Sequence, residues 1–130
     1  MNIKKILRPA ILVVVVFLTS CEGGTTFTKT IENKTSETIT VKLFTTLGTN
    51  DPVSLSPNET KLVFWDDQMG RFAGNSYTCT TGIDSIQVSI TNGKTLIKDI
   101  MNPNNWIRES KGGRNSKEDC TFIITNSDLQ

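Results

Sequence analysis

Apolar residues in this chain recur at every second position, and that period most narrows what it can fold into. In Thr38-Ile39-Thr40-Val41-Lys42-Leu43, the side chains of Ile39, Val41 and Leu43 fall on one face and those of Thr40 and Lys42 on the other. Successive side chains of a pleated strand point to opposite sides, so this stretch reads as a strand with one buried face and one wet face. No stretch sustains the 3.6-residue period of an amphipathic helix. The fold class expected is all-β.

The same reasoning places the other elements. Residues 26–33 are the expected antiparallel partner of that strand, with Phe27 and Ile31 on the core face and Asn33-Lys34-Thr35-Ser36 as the turn between them. Leu47-Gly48-Thr49-Asn50-Asp51-Pro52 reads as a loop and Val53-Ser54-Leu55 as a short strand. Ser56-Pro57-Asn58-Glu59 is a turn whose proline suits its second position. Lys61-Leu62-Val63-Phe64-Trp65 is the next strand, followed by a loop over residues 66–75. Within residues 85–98, Asn92-Gly93 supplies the positive φ angles of a type I′ turn. It predicts a hairpin with Ile90 facing Thr95 and Val88 facing Ile97, and a core face of Ile86, Val88, Ile90 and Ile97. Asn102-Pro103-Asn104-Asn105 ends that hairpin, residues 109–119 read as a polar loop, and Cys120-Thr121-Phe122-Ile123-Ile124-Thr125 is the last strand. Six to seven short strands with regular turn signals predict a single antiparallel β-sandwich, immunoglobulin-like or related, with a small barrel as the alternative.

Ahead of this domain the chain has a different character. Lys4, Lys5 and Arg8 precede an apolar run from Ala10 to Leu18, and small residues Thr19-Ser20 lead to Cys21. A basic start, a short apolar stretch and a small-residue zone make an export signal. The run is about half of the roughly 20 residues a spanning helix needs. Leu18-Thr19-Ser20-Cys21 resembles the lipobox of bacterial lipoproteins of the signal peptidase II class, with serine where alanine or glycine commonly precedes the cysteine. That resemblance implies removal of residues 1–20 and lipidation of Cys21 by a diacylglycerol and an N-acyl chain such as palmitate. Residues 21–25 then form a lipidated leash and residues 26–130 the β-sandwich domain. Each buried acyl methylene contributes about 0.8 kcal/mol and two chains already anchor stably, so the chain is expected in the cell envelope, tethered to a membrane rather than embedded. The outer membrane, on its periplasmic or surface face, is placed ahead of the inner one. An ordinary secretory signal cut elsewhere would instead leave Cys21 as a free or paired thiol.

With the lipid on Cys21, Cys79 and Cys120 remain as an even pair in an oxidising compartment, which predicts one disulfide. Two metal-binding or catalytic thiols would be the competing use, but no histidine or CxxC spacing accompanies them. Loss of the first 20 of 130 residues leaves 110, one compact domain, and takes the Lys and Arg count from 14 to 11 against 13 Asp and Glu. No nucleic-acid partner is indicated.

The mature chain as a whole is similar to small β-sandwich lipoproteins of Gram-negative bacteria that carry no assigned activity. The likeness rests on Ile31-Glu32-Asn33-Lys34-Thr35, Ser56-Pro57-Asn58-Glu59-Thr60, Asp84-Ser85-Ile86-Gln87-Val88, Asn92-Gly93-Lys94, Asn102-Pro103-Asn104-Asn105-Trp106 and Phe122-Ile123-Ile124-Thr125. These are turn and strand residues, so the resemblance implies a fold and not a mechanism.

The chain has no histidine, which removes the commonest general base and catalytic zinc ligand, and no enzyme activity, cofactor or metal is expected. Asp66 and Asp67 are adjacent, and neighbours on a strand point to opposite faces, so they do not form a carboxylate pair across one bond. Nor does any stretch resemble a spaced acidic calcium loop. Two tryptophans remain as binding candidates: Trp65 beside Asp66-Asp67, and Trp106 in the asparagine-rich loop before Arg108. An exposed indole beside such side chains stacks on a sugar ring or anchors a protein interface, while a buried one plugs the core. Arg108, Lys111, Arg114 and Lys117 make the following segment locally basic, diluted by Glu109, Glu118 and Asp119. Asp84-Ser85-Ile86 resembles the acceptor motif of a periplasmic O-glycosylation system. The function expected is a lipid-anchored envelope protein without catalytic activity. The alternative is a glycan- or protein-binding module of adhesin, inhibitor or immunity type that uses Trp106 and the loop after it.

Overall fold

The structure, a computed structural model, describes residues 23–69 and 76–130. The proposed lipidation site at Cys21 lies outside the described residues. Eight strands are present among them: β1 (Gly24–Lys34), β2 (Ile39–Thr45), β3 (Gly48–Thr49), β4 (Val53–Leu55), β5 (Thr60–Met69), β6 (Ile83–Ile90), β7 (Ile107–Lys111) and β8 (Ser116–Thr125). They form two four-stranded sheets, one in the order β5-β1-β8-β7 and one in which β2 is flanked by β6 on one side and by β3 and β4 on the other. The all-β sandwich expected from the period-two pattern is what the chain builds. Its core holds Phe27 and Ile31 of β1, Ile39, Val41 and Leu43 of β2, and Phe122 and Ile124 of β8. Cys79 and Cys120 are bridged, with Cα atoms 5.6 Å apart, fastening the segment before β6 to the middle of β8.

The pairing of the strands departs from expectation in several places. β1 does not form a hairpin with β2; the two lie in different sheets. The side chain of Asn33, at the end of β1, is fully buried where the chain passes between them. Its Nδ2 donates to the carbonyls of Glu37 at 2.8 Å and of Leu55 and Ser56 at 3.1 Å, and its Oδ1 accepts from the backbone N–H and hydroxyl of Thr35. These bonds hold a corner that carries the chain from one sheet to the other. A second departure is that β1 runs parallel to β8, so the first sheet is mixed rather than wholly antiparallel. The first and last strands of the domain are neighbours, a pairing no tight turn can make.

The Asn92-Gly93 hairpin also fails to form, although both residues have the positive φ that a type I′ turn requires, 63° and 70°. Residues 94–98 turn instead to the C-terminus: Thr95 and Gln130 exchange backbone hydrogen bonds of 2.8 and 2.9 Å, and Ile97 N–H donates to the Asp128 carbonyl. Ile97 is therefore exposed, while Ile86, Val88 and Ile90 are half-buried. β5 continues through Asp66 to Met69, where a loop was expected, and β7 lies in what reads as a polar segment. β8 starts at Ser116, four residues before Cys120. β1 likewise begins at Gly24 with Thr25 buried, inside the stretch read as the leash.

Candidate functional site

β5 is an edge strand, and a bulge decides which of its side chains reach solvent. Lys29 opposes Phe64 and Thr30 opposes Leu62, so Val63 has no opposite residue on β1. An extra residue on one strand breaks the alternation of faces. Val63 and Phe64 both turn inward, and Leu62 and Trp65 both turn outward. Trp65 is 58% exposed, and it lies on the wall of an open groove of about 370 Å3. Leu62 and Leu47, the latter 95% exposed, add apolar surface; Thr45, Asn50 and Asp66 supply polar groups.

Of the other sequence candidates, only Asp66 also lines this groove. Asp67 projects to the outer face, where its carboxylate accepts from the Thr26 hydroxyl at 2.7 Å, while Asp66 faces the groove and accepts weakly from Gln68 Nε2 at 3.4 Å. Trp106 is buried: its Nε1 donates to the Ile100 carbonyl at 2.8 Å and its ring centroid lies 5.2 Å from that of Phe122. It belongs to the core and presents no face to a ligand. Arg108 also turns toward the protein. Its Nε donates to Glu118 Oε2 at 2.9 Å, its Nη1 donates to the Tyr77 carbonyl at 2.7 Å, and its guanidinium lies 5.0 Å from the Tyr77 ring centre. Trp106 thus serves packing, while Arg108 is held against Glu118 and Tyr77 at the rim of the sheet.

Under Tyr77 lies a residue that sequence reasoning passed over. Lys29 sits on the core face of β1, between Phe27 and Ile31, and is 0% exposed. Its Nζ donates to the Tyr77 hydroxyl at 3.0 Å and lies 5.1 Å from the ring centres of both Phe64 and Tyr77. Among the described residues it has no carboxylate partner. Burial lowers its pKa to about 8, because an ammonium loses its hydration there, and burial pushes the Tyr77 phenol up to about 12. Burial alone would raise the pKa of nearby Glu118, but hydrogen bonds from Arg108 and Ser110 outweigh it and hold the carboxyl below its ordinary value. The period-two register did signal Lys29: it occupies the same face as Phe27 and Ile31, and only its charge argued otherwise.

Among the described residues no three His, Cys, Asp or Glu side chains converge to hold a metal ion. The groove at Trp65 offers stacking, apolar burial and a few hydrogen bonds. Comparison of the chain with protein-family models, curated proteins and solved structures finds no match.

Proposed function

We propose that this chain is a lipid-anchored protein of the bacterial cell envelope, without catalytic activity, whose sandwich binds another protein through the Trp65 groove. The observation that carries the binding role is an indole more than half exposed beside Leu47 and Leu62, with Thr45, Asn50 and Asp66 around them. An aromatic anchor in an apolar patch with a polar rim is the anatomy of an interface hot spot, and truncating such an anchor costs about 2 kcal/mol or more in binding. Support for the anchor comes from Leu18-Thr19-Ser20-Cys21 at the end of the export signal. A sugar ring is the second reading, favoured by the carboxylate and amide beside the indole.

The test compares partners captured from envelope extract by the wild-type mature protein and by Trp65→Ala. A protein retained by the first and lost by the second supports the reading; identical sets refute it. Oligosaccharides of the envelope that quench Trp65 fluorescence, with the response lost in Trp65→Ala, would establish the sugar reading instead. The anchor is tested separately: Cys21→Ser is expected to accumulate as an unprocessed, unacylated precursor, and normal maturation would overturn it.

A further inference from the structure

Among the described residues, three of the lateral edges of the two sheets carry devices that block pairing with another strand. β7 is charged at Arg108, Glu109 and Lys111; β3 and β4 hold two and three residues, with Pro52 and Pro57 beside them; β5 is bent by its bulge and carries Asp66 and Asp67. β6 has a charge and a bulge at Asp84, near its start, but its remaining six residues, Ser-Ile-Gln-Val-Ser-Ile, have no charge, proline or glycine, and among the described residues β6 pairs with β2 alone. Thr91 N–H donates to the Thr38 carbonyl, and hydrogen-bonded pairs alternate along an antiparallel ladder. The backbone groups of Gln87 and Ser89 therefore point to β2, and those of Ile86, Val88 and Ile90 point to the open edge. Beside that edge runs a groove of about 580 Å3, walled by Ile86, Val88 and Ile90 on one side and by Leu96, Ile97 and Met101 on the other.

We propose that the β6 edge is an interface between two copies of this chain, each setting its β6 antiparallel to the other's about a two-fold axis through Val88. Self-complementarity identifies the occupant. With the axis there, Ile86 lies opposite Ile90 of the second copy, and Gln87 lies opposite Ser89 of the second copy. Branched apolar side chains meet one another over the groove, uncharged polar ones meet on the other surface, and no like charges are opposed. A register shifted by one residue would set apolar against polar side chains across the whole strand. Residues 94–98, the strand that the Asn92-Gly93 turn would fold back onto this edge, are held by the C-terminus through Thr95, Ile97 and Gln130. β4 touches β5 on the opposite flank, so pairing through β6 leaves the Trp65 groove open on both copies.

The test uses two differently tagged full-length chains expressed together, with co-purification as the readout. Gln87→Lys with Ser89→Lys puts lysine opposite lysine across the axis, both at exposed positions that the core does not use. Copies that both carry the lysines are expected to co-purify at least tenfold less than wild type. Pairing a lysine chain with one carrying Gln87→Glu and Ser89→Glu is expected to restore it. Wild-type chains that do not co-purify, or charge variants that co-purify as wild type does in every combination, would overturn the proposal.

Discussion

Replacement of Lys29 by methionine keeps an unbranched side chain, one atom shorter, and removes its charge, and the structure sets both the size and the pH profile of the result. Lys29 has an ordinary pKa of 10.5 when hydrated and about 8 in the folded chain, because it lies buried against Phe64 and Tyr77. At 1.36 kcal/mol per pH unit, the folded state at neutral pH carries a penalty of roughly 3 kcal/mol for keeping that ammonium out of water. Below about pH 8 folded and unfolded chains both hold the proton, and the whole penalty is present. Between about 8 and 10.5 the unfolded chain holds the proton and the folded one does not, so stability rises with pH; above 10.5 the penalty is gone. Tyr77 acts with the opposite sign at higher pH: its proton is retained in the folded state up to about 12, and the stability this gives is lost as pH rises from 10 to 12. Measurements between pH 6 and about 9.5 therefore isolate Lys29. Lys29→Met also loses the bond to the Tyr77 hydroxyl, a loss of about 1 kcal/mol, so a net gain of roughly 2 kcal/mol is expected at pH 7. Urea unfolding of the oxidised protein measures it. The advantage of the variant is expected to shrink at about 1.4 kcal/mol per pH unit above pH 8. A difference between the two proteins that stays constant from pH 6 to 9.5, or a variant less stable than wild type at pH 7, would refute desolvation of Lys29 as the dominant effect.

Three further outcomes are expected. Cys79→Ser together with Cys120→Ser removes a bridge that spans 41 residues of sequence and is expected to cost about 4 kcal/mol, read as a lower Tm that reductant no longer shifts; a melting curve matching oxidised wild type would contradict this. Asn33→Ala withdraws a buried amide from the Glu37, Leu55 and Ser56 carbonyls and from Thr35, so a loss of about 3 kcal/mol is expected on denaturant unfolding, against a few tenths for an exposed residue such as Asn104. Trp106→Ala is expected to lose about 3–5 kcal/mol while Trp65→Ala stays within about 0.5 kcal/mol of wild type, since one indole fills the core and the other faces water; equal losses would contradict their placement.

The two tryptophans show where local reading ends. Both stand beside polar residues in the sequence, Trp65 before two aspartates and Trp106 after two asparagines, and neither setting reveals which indole is buried. Trp106 is buried because the turn over Pro103–Asn105 brings its Nε1 to the Ile100 carbonyl and its ring to Phe122, a residue 16 positions later. Trp65 is exposed because a bulge against β1 shifts the faces of β5 midway along the strand. β7 escaped notice for another reason: every one of its residues is exposed, so it carries no alternation, and it is a strand only because β8 hydrogen-bonds it.

By itself the sequence determined the strands whose apolar residues alternate, the turn at Pro57, the positive φ at Asn92 and Gly93 and the pairing of Cys79 with Cys120, because each depends on residues within a few positions or on counting thiols. Tertiary structure alone decided that β1 joins β5 and β8 rather than β2, that residues 94–98 bond to the C-terminus, and that Tyr77 meets the Lys29 ammonium. The physical reason is common to all three. A strand's backbone offers the same donors and acceptors to any neighbour, so local chemistry makes the strand while the competition among distant partners, settled by which apolar faces can be buried together, chooses its place.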